Sequence, residues 1–138
     1  MRILGLDIGE KRIGVAISDA LGITAQGLET VYREGKGPTT EKLRDIVDKE
    51  SIGSIVVGLP LNMDGTRGAK AKEATAFADE LKKETGLPVT LWDERLTTAE
   101  VERILISAGS SRAKRKKKAD KLAAQLILQG YLDSKRHK

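Results

Sequence analysis

The sequence predicts an α/β protein built on one five-stranded mixed sheet, an antiparallel meander followed by βαβ units, with helices on the faces of the sheet. Three observations predict it. The first 31 residues hold alternating, partly β-branched segments joined by short turns. From residue 39 onward, helical spacing alternates with short apolar runs. The length, 138 residues, suffices for one substantial core but not for two. The chain 1–138 is therefore read as one domain.

Arg2 to Ile8 and Arg12 to Ser18 both alternate, and the Gly9-Glu10-Lys11 link between them suits a hairpin. Ile23 to Val31 reads as a weaker third strand, interrupted by Gly27 in the manner of a bulge or an edge. Thr39 to Lys49 sets Leu43, Ile46 and Val47 at helical spacing, and Ser54 to Leu59 is a short apolar run typical of a strand covered on both faces. Gly68 to Thr85 places Ala71, Ala74, Phe77, Ala78 and Leu81 on one helix face and ends at Gly86, before a fifth strand from Val89 to Trp92. Thr97 with Glu100 forms a capping box for a helix whose stripe is Val101, Ile104 and Leu105, up to Gly109. A last helix is expected from about Ala119 to Asp133, preceded by a basic, mobile loop over 110–118.

Composition narrows the chemistry. Hydrophobic residues make up 39% and charged residues 33%, the balance of a globular chain rather than a disordered one. Apolar stretches such as Ile55-Val56-Val57 and Leu126-Ile127-Leu128 are too short to span a bilayer, and Met1-Arg2-Ile3-Leu4 lacks a signal-peptide layout, so a cytoplasmic location without a membrane partner is expected. There is no cysteine, which excludes disulfides, zinc–thiolate sites and a cysteine nucleophile. The single histidine, His137, is second from the end, a poor foundation for a Ser-His-Asp triad or a histidine metal site. Carboxylates remain. The net charge of +5 favours a polyanionic partner, and the cations are concentrated: Arg112, Lys114, Arg115, Lys116, Lys117 and Lys118 occupy six of seven consecutive positions.

Three stretches carry candidate acids. In Gly5-Leu6-Asp7-Ile8-Gly9, strand alternation puts Ile3, Gly5 and Asp7 on one face, with Asp7 at the strand's end beside small residues that leave room for a ligand. Asp7 alone reads equally well as the start of a turn. In Trp92-Asp93-Glu94-Arg95-Leu96-Thr97-Thr98 a strand delivers two acids and an arginine to a helix N-terminus; a favourable helix dipole and a local ion pair explain them as readily as a site does. Asp120 lies on the flank of the stripe made by Leu122, Ala123, Leu126 and Ile127, or else serves the start of its helix. Taken together, acids from two strand ends and a helix start would repel one another unless divalent cations separate them, and hard Mg²⁺ or Mn²⁺ prefers such oxygen ligands. Two such ions about 3.5–4 Å apart would serve phosphodiester hydrolysis. Asn62, in the loop Pro60-Leu61-Asn62-Met63-Asp64-Gly65, reads either as a phosphate or base contact or as a turn residue. With Arg12, Arg95 and the basic run, it completes the expected nucleic-acid contacts. Aromatic residues are few, which argues against a single-strand stacking platform.

These residues resemble the YqgF family, small bacterial proteins with an RNase H-like fold described as Holliday-junction-resolvase-like and as nucleases for 5′-end processing of pre-16S ribosomal RNA. The resemblance is nearly full length. It rests on Leu6-Asp7-Ile8-Gly9 with Gly14-Val15-Ala16-Ile17-Ser18-Asp19, on Val57 to Gly65, on Asp93-Glu94-Arg95-Leu96-Thr97-Thr98, and on Asp120 with Ala123-Ala124. It implies that Asp7, Glu94 and Asp120 form an acidic metal-binding and catalytic triad. Adjacent strand residues face opposite ways, and the family pattern favours Glu94 over Asp93. Gly27 is a departure, standing where the family more often has proline.

The expected activity is a metal-dependent endonuclease acting on precursor ribosomal RNA or branched DNA, as a monomer or weak dimer. The competing reading is a non-catalytic nucleic-acid-binding factor in transcription or ribosome assembly. Actin-like and sugar-kinase folds also open with Asp-x-Gly, but they need a second domain and a further phosphate loop that this chain lacks.

Overall fold

A computed structural model describes residues 1–95 and 112–136; the side chains at 36, 112–120 and 136 lie outside that description. Strands β1 (Arg2–Ile8), β2 (Arg12–Ser18) and β3 (Ala25–Tyr32) form the meander, followed by α1 (Lys36–Lys49), β4 (Ile52–Leu59), α2 (Ala69–Thr85), β5 (Val89–Asp93) and α3 (Arg112–Arg136). The sheet order is β3-β2-β1-β4-β5; β1 pairs antiparallel with β2 and parallel with β4, which pairs parallel with β5. This is the five-stranded mixed sheet that the patterning predicts. The helix expected between Thr97 and Gly109 lies outside the described residues.

Alternation along the strands divides the core in two. Leu4 and Leu6 of β1, Ile13, Val15 and Ile17 of β2, and Ile55 and Val57 of β4 face α1 and α2, where Leu43, Ile46, Ala78 and Leu81 close the layer. The opposite residues, Ala16, Ala25 and Val56, meet Ala124, Ile127, Leu128 and Tyr131 of α3. The apolar stripe of α2 is as the spacing predicts, and its end at Gly86 is a left-handed cap whose N–H bonds Lys82 O at 2.9 Å. The bulge expected at Gly27 is present: Val15 pairs with Glu29 but Ala16 with Gly27, leaving Leu28 as the extra residue of β3.

Helix α3 differs from expectation at its start. It begins at Arg112, so 112–118 form helical turns and not the loop that a run of like charges suggests. Alanine, lysine and arginine are all strong helix formers, and here that propensity outweighs the repulsion between neighbouring cations.

Small residues let α3 lie close on the sheet. A Cβ added at Gly5 would stand 2.8 Å from Leu128 Cβ and 3.3 Å from the Ala124 carbonyl oxygen. Backbone and a fully buried leucine cannot step aside cheaply. Gly5→Ala is therefore expected to cost about 1–3 kcal/mol, to be read as a lower urea midpoint at unchanged m-value. No helix among the described residues is long and apolar enough to cross a membrane.

Candidate active site

Because β1 presents Leu4 and Leu6 to the α1/α2 core, Asp7 necessarily faces α3. On β5, Val89 and Leu91 pack with the α1/α2 core and Trp92 with the α3 core, so Asp93 follows the first set and Glu94 the second. The two adjacent acids thus part company, and Glu94 is the one delivered to the face of Asp7.

Asp7 and Glu94 start two strand spacings apart, about 10 Å, because β4 lies between β1 and β5. Gly58 of β4 makes their meeting possible. It pairs with Trp92, and its missing side chain leaves a gap that Glu94 fills: a Cβ at Gly58 would be 2.7 Å from Glu94 Oε2 and 2.6 Å from Ile127 Cδ1. Glu94 crosses this gap and its carboxyl shares a hydrogen bond with Asp7. Burial first, then the charge and hydrogen bond of Asp7, then the charge of Asp93, push the Glu94 carboxyl up to about 8 from its ordinary 4.5. Two carboxyl groups in contact hold a proton between them when nothing more positive is present, and such a pair is suited to a hard divalent cation.

The remaining candidates divide. Among the described residues no set of three acidic, histidine or cysteine side chains is assembled as a metal site; the side chain of Asp120 is outside the description. Its backbone position is one helical turn before Ala124, which lies against Gly5 beneath the helix. Arg12 begins β2 opposite Tyr32, on the same face as Asp7 by alternation. The six cations from Arg112 to Lys118 belong to the first turns of α3.

Asn62 and Arg95 are engaged locally. Asn62 Nδ2 donates to Thr66 Oγ1 at 2.9 Å, and its backbone N–H bonds Thr66 O at 2.9 Å, closing the loop after β4. Arg95 Nε and Nη2 both reach Asp93 Oδ2 at 2.9 Å, and Nη1 reaches Met63 O at 3.4 Å. Burial works against the Asp93 charge, but the bonds and charge of Arg95 outweigh it and hold the Asp93 carboxyl below its ordinary value.

Two features escape a reading by local pattern. Gly58 sits in a run that signals a buried strand, and nothing local marks it as the floor beneath Glu94. Thr30 shares a rung with Gly14 and hence with Asp7, and its buried Oγ1 has no hydrogen-bond partner among the described residues. The adjacency of Thr30 and Asp7 through a glycine becomes visible only once the register of the meander is known.

Comparison with known proteins follows the same lines. The chain is 52% identical over 139 residues, all of both chains, to a Thermoanaerobacter pseudethanolicus protein named "Putative pre-16S rRNA nuclease". It is 54% identical over 138 residues to a Geobacillus kaustophilus protein of the same name, covering 99% of this chain and all of that one. Among solved structures, Thermus thermophilus RuvC bound to a Holliday junction superposes with a TM-score of 0.60 at 16% identity, covering 100% of this chain and 97% of that one. The Fowlpox virus resolvase with junction DNA gives 0.60 at 14%, covering 97% and 98%. These two share the fold, which is RNase H-like. Residues 1–134 match the family described as "RuvX: Holliday junction resolvase", and the chain belongs to that family, RuvX or YqgF.

Proposed function

We propose that this chain is a divalent-metal-dependent endonuclease that hydrolyses phosphodiester bonds in structured RNA, with precursor 16S ribosomal RNA as its substrate in the cytoplasm. The observation that carries the reading is the contact between Asp7 of β1 and Glu94, just past the end of β5, two acids held together on one face of the sheet. Full-length identity above 50% to proteins named for pre-16S rRNA supports the choice of substrate.

Asp7 and Glu94 would hold Mg²⁺ or Mn²⁺, with Asp120 as the expected third ligand from the turn of α3 preceding Ala124. When bound, such an ion supplies the positive charge that stabilises the attacked phosphate and the leaving oxygen, and it acidifies water. The protein's own part is to aim two carboxylates at one place, Asp7 from β1 and Glu94 from the residue that follows β5. The cations between Arg112 and Lys118, together with Arg12, would hold backbone phosphates, making binding strongly salt-dependent.

The test is cleavage by the purified protein with Mg²⁺ or Mn²⁺ of a 5′-extended 16S rRNA precursor, alongside a four-way DNA junction and a linear duplex. Cleavage of the precursor that disappears in Glu94→Gln is expected. Cutting of the junction alone would favour the resolvase reading carried by the family's description. Salt-sensitive binding with no cleavage of any substrate would overturn the enzyme in favour of a binding factor.

A further inference from the structure

We infer that Arg95 is a positioning residue for Glu94, tying the end of β5 to the loop after β4 and so keeping Glu94 aimed at Asp7. This rests on the reading of Glu94 as a working carboxylate.

The need for such a tie follows from the topology. β5 is an edge strand that ends at Asp93, one residue before Glu94. On one side no strand among the described residues pairs with it. On the other, the ladder continues past Asp93 through the bond from Glu94 N–H to Leu59 O at 3.2 Å. One bond of 3.2 Å just past the last residue of β5 does not by itself fix which way a side chain points, yet Glu94 has to span the width of β4 to reach Asp7.

Arg95 supplies what the ladder lacks. Its backbone N–H donates to Asp93 Oδ1 at 3.0 Å, closing a tight turn around Glu94, while Nε and Nη2 hold Asp93 Oδ2 at 2.9 Å. Asp93 and Arg95 therefore grip each other across Glu94. The far nitrogen, Nη1, donates to Met63 O at 3.4 Å, and the guanidinium lies against Gly65, where an added Cβ would stand 3.4 Å from Nη1. The loop it reaches is already braced: Thr66 N–H and Oγ1 both bond Asp64 Oδ1, at 2.9 and 2.6 Å, and Asn62 bonds Thr66. The grip is thus anchored to a loop that carries its own internal hydrogen bonds. Leu59, whose carbonyl receives the Glu94 N–H, is the last residue of β4 before that loop, so the loop and the turn meet Glu94's backbone at adjoining points.

The geometry uses several nitrogens of a planar fork at once, two on Asp93 and one on Met63. A lysine ammonium carries the same charge but cannot span both partners. This separates the positioning role from a plain cationic contact with nucleic acid, for which lysine would serve nearly as well.

Three measurements on Arg95→Lys test the inference. First, in the metal-free full-length protein, amide exchange at Glu94 should accelerate at least about 10-fold, with the melting temperature and the exchange of β1 unchanged. Second, Mn²⁺ affinity, read by electron paramagnetic resonance, should weaken several-fold. Third, kcat should fall about 10²-fold, the scale of a misplaced catalytic group, with KM and its salt dependence close to wild type. Asp93→Asn should reproduce the exchange effect, and the double variant should add little to either single one. Unchanged exchange at Glu94 in Arg95→Lys overturns the inference whatever the activity. A raised KM at unchanged kcat would do so as well, marking Arg95 as a substrate contact. If the wild-type protein cleaves nothing while the exchange and Mn²⁺ effects appear as expected, the tie stands and the nuclease reading falls.

Discussion

Asp7→Asn is expected to lower metal-dependent cleavage by about 10²–10³-fold, the usual loss when a preorganised electrostatic group is removed, while making the metal-free protein more stable at neutral and alkaline pH. Both effects have one origin. In the metal-free wild type the Glu94 carboxyl is pushed up to about 8 by burial, by the charge and hydrogen bond of Asp7, and by Asp93. The folded state therefore keeps a proton that the unfolded chain has released. Stability from this group is complete below the ordinary value near 4.5 and is lost as the pH rises through about 8. The loss is on the order of a few kcal/mol. Replacing Asp7 removes its charge but not the burial that is the larger cause, so the pH dependence should shrink without vanishing. Melting temperatures measured in EDTA between pH 4 and 9 check this: the wild-type curve falls toward high pH and the Asp7→Asn curve falls less. Adding Mn²⁺ should raise the wild-type melting temperature most where Glu94 has to lose its proton least, toward pH 9, and should hardly move the variant. A variant with the wild-type slope would show that Asp7 and Glu94 do not feel each other.

Gly58→Ala is expected to be nearly as damaging to activity as loss of an acid, although it adds only one methyl group near the end of a strand. The new Cβ would sit 2.7 Å from Glu94 Oε2 and 2.6 Å from Ile127 Cδ1. Glu94 has to swing out, and the pair with Asp7 opens. A drop in kcat of about 10²-fold is the scale for such a displacement, with about 1–3 kcal/mol of stability lost to the crowding. Combining Gly58→Ala with Ile127→Val separates the two contacts. Shortening Ile127 should restore much of the melting temperature, but activity should stay low because the clash with Glu94 remains. Recovery of both together would mean that the glycine serves only the packing of α3.

How much of this was legible in the sequence depends on the range over which each feature is determined. β1 and β2 carry their whole signal in seven residues each, and their bounds come out as read. The face shared by Ile3, Gly5 and Asp7 follows from the two-residue period of a strand alone. The stripe of α2 and the bulge at Gly27 are similarly local. Asn62 and Arg95 show the limit. Their residue types suit phosphate binding, but their side chains are taken up by Thr66 and by Asp93 and Met63, partners whose distances no spacing rule supplies. Gly58 was hidden for a different reason: its role depends on which strand lies between β1 and β5, a property of sheet order. The start of α3 at Arg112 is not legible because a run of cations reads as a loop, whereas the residues that carry the charge have high helix propensity.

The division of the sheet into two cores has a consequence for how such a protein can change over time. The α1/α2 side holds most of the large buried residues, including Leu4, Leu6, Leu43, Ile55 and Leu81, and none of the acids of the candidate site. Substitutions there can drift, or be selected for life at a different temperature, with the reacting geometry shielded behind five hydrogen-bonded strands. The α3 side has no such latitude, because glycines at 5 and 58 set its clearances to fractions of an ångström. A lineage or an engineer seeking a hardier version would find room on one side of the sheet and almost none on the other.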